Sequence, residues 1–101
     1  MKKQISISKT GKYSQIGKCS KKINNVWIVL HGYGMLSEYF VKKFECIINE
    51  TTLVIAPEAT NRFYLANNYT RVGASWMTKL DKEQEISDNI LFLDKHTELI
   101  K

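Results

Sequence analysis

The segment whose residue types and spacing best suit chemistry is His31-Gly32-Tyr33-Gly34, placed directly after the apolar run Val26-Trp27-Ile28-Val29-Leu30. Two glycines around one aromatic residue let the backbone turn sharply and bring amide N–H groups close to a substrate oxygen with no side chain in the way. A second candidate position is Pro57-Glu58, which closes another apolar run, Thr52-Leu53-Val54-Ile55-Ala56. Downstream lie Phe63, Tyr64 and Trp76, which with Tyr33 are suited to wall a small-molecule pocket. Packing in the core or in loops is the competing use of these aromatics. Arg62 and Arg71 suit the steering of an anionic substrate, although solvation in a polar loop is the commoner fate of such residues. For Glu58 the favoured reading is an anchor that holds its loop by hydrogen bonds.

Other reactive side chains are poorly placed. Ser75 sits in Gly73-Ala74-Ser75-Trp76-Met77, which lacks the second glycine of a nucleophile elbow and precedes a helix without following a strand. His31 and His96 are far apart in sequence, and Cys19 and Cys46 have neither metal-site nor redox spacing. No metal and no cofactor is expected, and the two cysteines read as reduced thiols.

These residues must be positioned by elements legible in the hydrophobic pattern. Ile5 and Ile7 alternate with Ser6 and Ser8, and Thr10-Gly11-Lys12 supplies turn chemistry before Tyr13 to Gly17, so residues 4–17 read as a β-hairpin. Residues 26–30 and 52–56 are apolar on both alternating sets, the pattern of strands buried on two faces. Between them Phe40, Phe44, Ile47 and Ile48 form one helical stripe, with Ser37 as N-cap and Glu38 in the first turn. Residues 58–77 form a long connection, of a length that is usually functional or hides turns of helix. Ile86, Ile90 and Leu93 mark a final helix over 81–96. The order β-β-β-α-β-α implies a mixed sheet, with parallel pairing in its second half and helices on its faces. In such sheets ligands collect at the carboxyl ends of the strands, here residues 31–34 and 57–58.

Strand, His-Gly-x-Gly and helix together resemble the third strand and oxyanion loop of the α/β-hydrolase superfamily. The segments Thr52 to Glu58, Arg62 to Leu65 and Arg71 to Thr78 are similar to predicted bacterial esterases of the phospholipase/carboxylesterase, dienelactone-hydrolase-like group. The resemblance covers residues 24–94. It implies a serine hydrolase of carboxylic esters or thioesters, using a Ser-Asp-His triad and no cofactor. It implies an oxyanion loop at His31, Gly32, Tyr33 and Gly34, with the backbone N–H of Tyr33 as donor, and a substrate pocket at Phe63, Tyr64 and Trp76. The family's Gly-x-Ser-x-Gly elbow, acid and base have no counterpart here, so nucleophile, acid and base are all expected beyond Lys101. The fold expected is therefore a partial three-layer α/β-hydrolase sandwich, stopping before the nucleophile elbow, as in a truncated gene product. Such a chain is expected to be inactive, and to associate with itself or with a missing carboxyl-terminal half.

Composition sets the remaining bounds. A chain of 101 residues, 44% hydrophobic and 25% charged, fits one globular domain. No apolar run approaches the roughly 20 residues of a membrane span. With no signal-peptide pattern at its start, the chain reads as cytoplasmic. Residues 1–22 hold seven lysines and no acid, whereas the remainder is slightly acidic. Lysines interleaved with Ile5, Ile7, Tyr13 and Ile16 suit the guarding of a strand edge, so nucleic acid is not expected as a partner. Two readings of other classes stand beside the hydrolase: a small non-catalytic α/β binding domain or subunit completed by a partner chain, and a polyanion-binding domain using residues 1–22.

Overall fold

The structure is a computed structural model and describes residues 1–18, 20–65 and 69–97. Cys19, read as a reduced thiol, and Lys101, beyond which the catalytic groups are expected, both lie outside the described residues. Two sheets and two helices form a mixed α/β architecture. Strands β1 (Lys12–Ile16), β2 (Asn25–Ile28) and β3 (Thr52–Glu58) make a three-stranded sheet with β3 in the middle. β1 pairs with β3 antiparallel, Lys12 opposite Glu58, and β2 pairs with β3 parallel, Asn25 opposite Thr52. The parallel pairing across a helical crossover is the arrangement the strand–helix–strand order predicts.

β3 is central because its sequence suits burial on both sides. Leu53 through Pro57 are all buried, and Val54 and Ala56 meet Val41 from the crossover to form the core, joined by Ile16, Val29, Phe44 and Ile47. Pro57 belongs to the strand and does not close it. The Ile55 carbonyl accepts from Val29 N–H, so Pro57, two residues on, faces the same edge at a level where β2 has ended. Its missing N–H therefore has no neighbour to disappoint.

Several expectations are corrected. Residues 4–11 form no strand, so the hairpin over 4–17 is reduced to β1. Ile5 and Ile7 offer an apolar face with nothing to cover it, and an isolated ribbon of two strands is marginal. β2 is not buried on two faces. It is an edge strand that ends at Ile28, with Trp27 54% exposed and Leu30, beyond its end, 48% exposed. The helix of residues 37–48 is a short α1 (Ser37–Phe40) that tightens into a 3₁₀ segment over Val41–Ile47. Its N-cap is Leu36, not Ser37.

The long connection hides strands, not helix. β4 (Asn61–Tyr64) and β5 (Val72–Ser75) pair antiparallel as a second sheet, and a bridge between Met35 and Ala74 ties that sheet to the segment after β2. The last helix, α2 (Lys82–Thr97), lies where predicted, with Ile86 and Leu93 of its stripe half-buried. Ile90 is exposed, whereas Asn89, Phe92 and His96 turn inward. Phe92 meets Trp76, and His96 meets Tyr13 of β1 edge to face.

Candidate functional site: the turn after the second strand

The turn is built by backbone hydrogen bonds that do not use the Tyr33 amide. Met35 N–H donates to the Gly32 carbonyl at 3.2 Å, closing a four-residue turn. Gly34 adopts φ +75° and donates its N–H to the Ala74 carbonyl at 2.9 Å, and Ala74 N–H returns a bond to the Met35 carbonyl at 3.1 Å. Gly32 N–H faces the Met35 sulfur at 3.3 Å. Tyr33, between the two glycines, carries no backbone N–H bond among the described residues, and its side chain is 73% exposed. The ring of Tyr33 rests against Phe63 of β4, centroids 5.0 Å apart. An amide without a bond among the described residues, beside a glycine and on a turn pinned by β5, is a donor held in place.

His31 locks the turn to the end of β3. It is buried, and its Nε2 accepts the Ala59 N–H at 3.0 Å. Nδ1 must then carry the proton, donated to the Gly32 carbonyl at 2.8 Å. Both ring nitrogens are engaged, so His31 is a structural clamp with no lone pair left for a substrate. Trp76 stacks on this imidazole at 5.3 Å and donates Nε1–H to the His31 carbonyl at 3.0 Å. Asn89 of α2 donates to the Trp76 carbonyl at 2.7 Å, so the helix holds the indole in place.

At the carboxyl end of β3, Glu58 gathers a polar network. Its Oε1 accepts from the N–H of Ser37 at 3.2 Å and from the Ser37 hydroxyl at 3.3 Å, and the Ser37 oxygen lies 2.9 Å from that of Ser14. Its Oε2 accepts from Arg62, at 2.7 Å from a terminal nitrogen and 3.3 Å from Nε. Burial works against the charged carboxylate, but the Arg62 guanidinium and the Ser37 amide and hydroxyl outweigh it and hold the Glu58 carboxyl below its ordinary range. The N-terminus of α1 is thus satisfied from a distance by Glu58. Anchoring by Glu58 was legible, and Arg62 four residues on was a signal for its partner; nothing in the pattern pointed to Ser14.

Two open cavities flank this region. One, of about 470 Å³, is lined by Gly34, Met35, Tyr39, Leu65, Arg71 and Val72. The other, of about 370 Å³, is lined by Lys12, Ser14, Ser37, Glu38, Glu58 and Arg62. Neither is walled by Phe63, Tyr64 or Trp76, the three pocket residues named from sequence. Phe63 supports Tyr33, Tyr64 packs edge to face on Tyr69, and Trp76 clamps His31. Tyr39 and Leu65 were missed, because the first lay on a helix read only for its core stripe and the second in a stretch read as loop.

The remaining reactive groups are occupied. Ser75 is buried at the end of β5 and donates its hydroxyl to the Met77 carbonyl at 2.9 Å. His96 is buried, with Nδ1 2.9 Å from the Phe92 carbonyl of the preceding helical turn. Cys46 is exposed, and among the described residues no three His, Cys, Asp or Glu side chains are grouped to hold a metal ion. No described helix is long and apolar enough to cross a membrane. Comparison with protein-family models, with curated proteins and with solved structures found no match to this chain.

Proposed function

We propose that the chain is part of a serine esterase of α/β-hydrolase type, acting on carboxylic esters or thioesters, to which it contributes the oxyanion turn His31-Gly32-Tyr33-Gly34. The observation that carries this reading is the Tyr33 amide, unbonded among the described residues, on a turn held by the Gly34 and Met35 amides at the carboxyl end of a parallel strand. Such a donor needs no reorganisation when charge develops on a carbonyl oxygen, which is where electrostatic catalysis acts. The mixed sheet, the helical crossover from β2 to β3 and the position of the turn are consistent with the fold that the reading requires. Nucleophile, acid and base would come from beyond Lys101, and the chain by itself would not turn over esters. Sequencing the DNA that follows codon 101 tests the proposal. An encoded Gly-x-Ser-x-Gly, in frame or shifted, supports it; unrelated sequence there overturns it.

One observation favours a second reading, a non-catalytic α/β subunit completed by another chain. Among the described residues β2 is bonded on one side only, and Trp27 and Ile28 on it and Leu30 just beyond it are exposed. An apolar edge without charge or proline is a template for strand addition.

A further inference from the structure

The cavity beside the His31–Gly34 turn has one apolar part, Met35, Leu36, Leu65 and Val72, beside the polar groups of Tyr39 and Thr70, and among the described residues Arg71 is its one formally charged lining group. Its neighbour is different in kind: there Lys12 and Arg62 are balanced by Glu38 and Glu58. The charge of Arg62 is already matched, because Glu58 holds it at 2.7 Å. The Arg71 guanidinium has no hydrogen bond and no ion pair among the described residues. A planar, permanently charged fork beside an apolar wall is built to receive a carboxylate bidentately while the wall receives a hydrocarbon chain. Gly34 lines this same cavity and directly follows Tyr33, so a ligand lying in it touches the residue next to that amide.

We propose that this cavity binds an acyl group that carries a carboxylate, with Arg71 holding the anion and Met35, Leu36, Leu65 and Val72 covering the chain. The ligand class is the half-ester or half-thioester of a dicarboxylic acid. This rests on the reading of the turn as an oxyanion site and adds the charge of the acyl arm.

The experiment titrates the 101-residue chain with monomethyl adipate, which is anionic, and with neutral dimethyl adipate, following backbone amides by NMR. The expected result is saturable movement of the Gly34, Leu65 and Val72 amides, with the anionic ester binding about tenfold more tightly, a charge-assisted hydrogen bond's worth of affinity. Raising the salt concentration narrows the gap. Arg71→Gln removes the preference without weakening dimethyl adipate, and Arg71→Lys keeps part of it. Equal affinity of both esters at these amides overturns the proposal while leaving an acyl site beside the turn. A preference that survives Arg71→Gln, or that tracks Arg62 or the amino-terminal lysines, overturns it too. No movement at residues 31–36 with either ester overturns both the proposal and the oxyanion reading.

Discussion

Gly73 and Gly34 touch backbone to backbone: a Cβ built on Gly73 would lie 2.4 Å from the Gly34 carbonyl oxygen. The turn after β2 therefore takes its shape from a strand some forty residues later. From sequence, Gly32 is the position where a side chain is expected to crowd the turn, but there a Cβ would meet only the Met35 sulfur at 3.3 Å.

Gly73→Ala should accordingly destabilise the protein by about 1–3 kcal/mol, the usual cost of overpacking. Gly34→Ala, at φ +75°, should cost about 1–2 kcal/mol through backbone strain. Gly32→Ala should be the mildest of the three. Urea denaturation midpoints rank them, and a larger loss at Gly32 than at Gly73 would contradict the packing described.

Removing the His31 ring should leave the Ala59 amide buried without a partner. His31→Phe keeps the stack on Trp76 but loses both hydrogen bonds, so a loss of about 2–3 kcal/mol is expected. Thermal unfolding checks the size, and the Tyr33 amide shift reports whether the turn moves.

Glu58 makes stability depend on acid. Its folded pKa is depressed, so the stability it contributes is complete above the unfolded value, about 4.3 for a free glutamate, and is lost as pH falls through the folded one. Glu58→Gln should remove that dependence and cost about 1–2 kcal/mol at neutral pH, the Arg62 side being partly exposed and screened. Unfolding free energies from pH 7 down to pH 3 test this; a variant that keeps the wild-type acid slope would exclude Glu58 as its source.

The purified chain should hydrolyse p-nitrophenyl acetate no faster than an unrelated protein, because the Ser75 hydroxyl is bonded to a backbone carbonyl and both described imidazoles serve in packing. A rate above that control which Ser75→Ala abolishes would make Ser75 a nucleophile after all.

Sedimentation at micromolar concentration should show dimers or larger species formed through β2. Trp27→Lys, which places a charge on the exposed edge, should shift the chain toward monomer. A wild-type monomer whose residues 26–30 exchange their amides slowly would mean that the edge is covered within the chain.

The parts of the fold legible in sequence are those with strong local signals. β3 announces itself by a two-faced apolar run, α2 by its period, and the turn by His31-Gly32-Tyr33-Gly34. β4 and β5 were hidden because Val72-Gly73-Ala74-Ser75 has little β propensity; its small residues serve the close approach to Gly34. Trp76 was assigned to a pocket, and Asn89 was passed over, for a related reason. Their roles depend on partners distant in sequence, His31 and each other, which periodicity does not reveal. Of the candidate site, the turn and Glu58 were foreseen, while the cavity wall at Tyr39 and Leu65 depends on how α1 and β4 come to share one side.

The strand that holds the main sheet together is the last of its three to be made. Lys12 waits for Glu58 and Asn25 for Thr52, so no pairing in this sheet is local, and closing such long loops slows folding. At about 5–20 residues per second, β1 and β2 leave the ribosome a few seconds before β3 is available. For that interval Val26 to Leu30 has neither of its edges covered, so the chance of capture by a neighbouring nascent chain is set by translation speed as well as by stability.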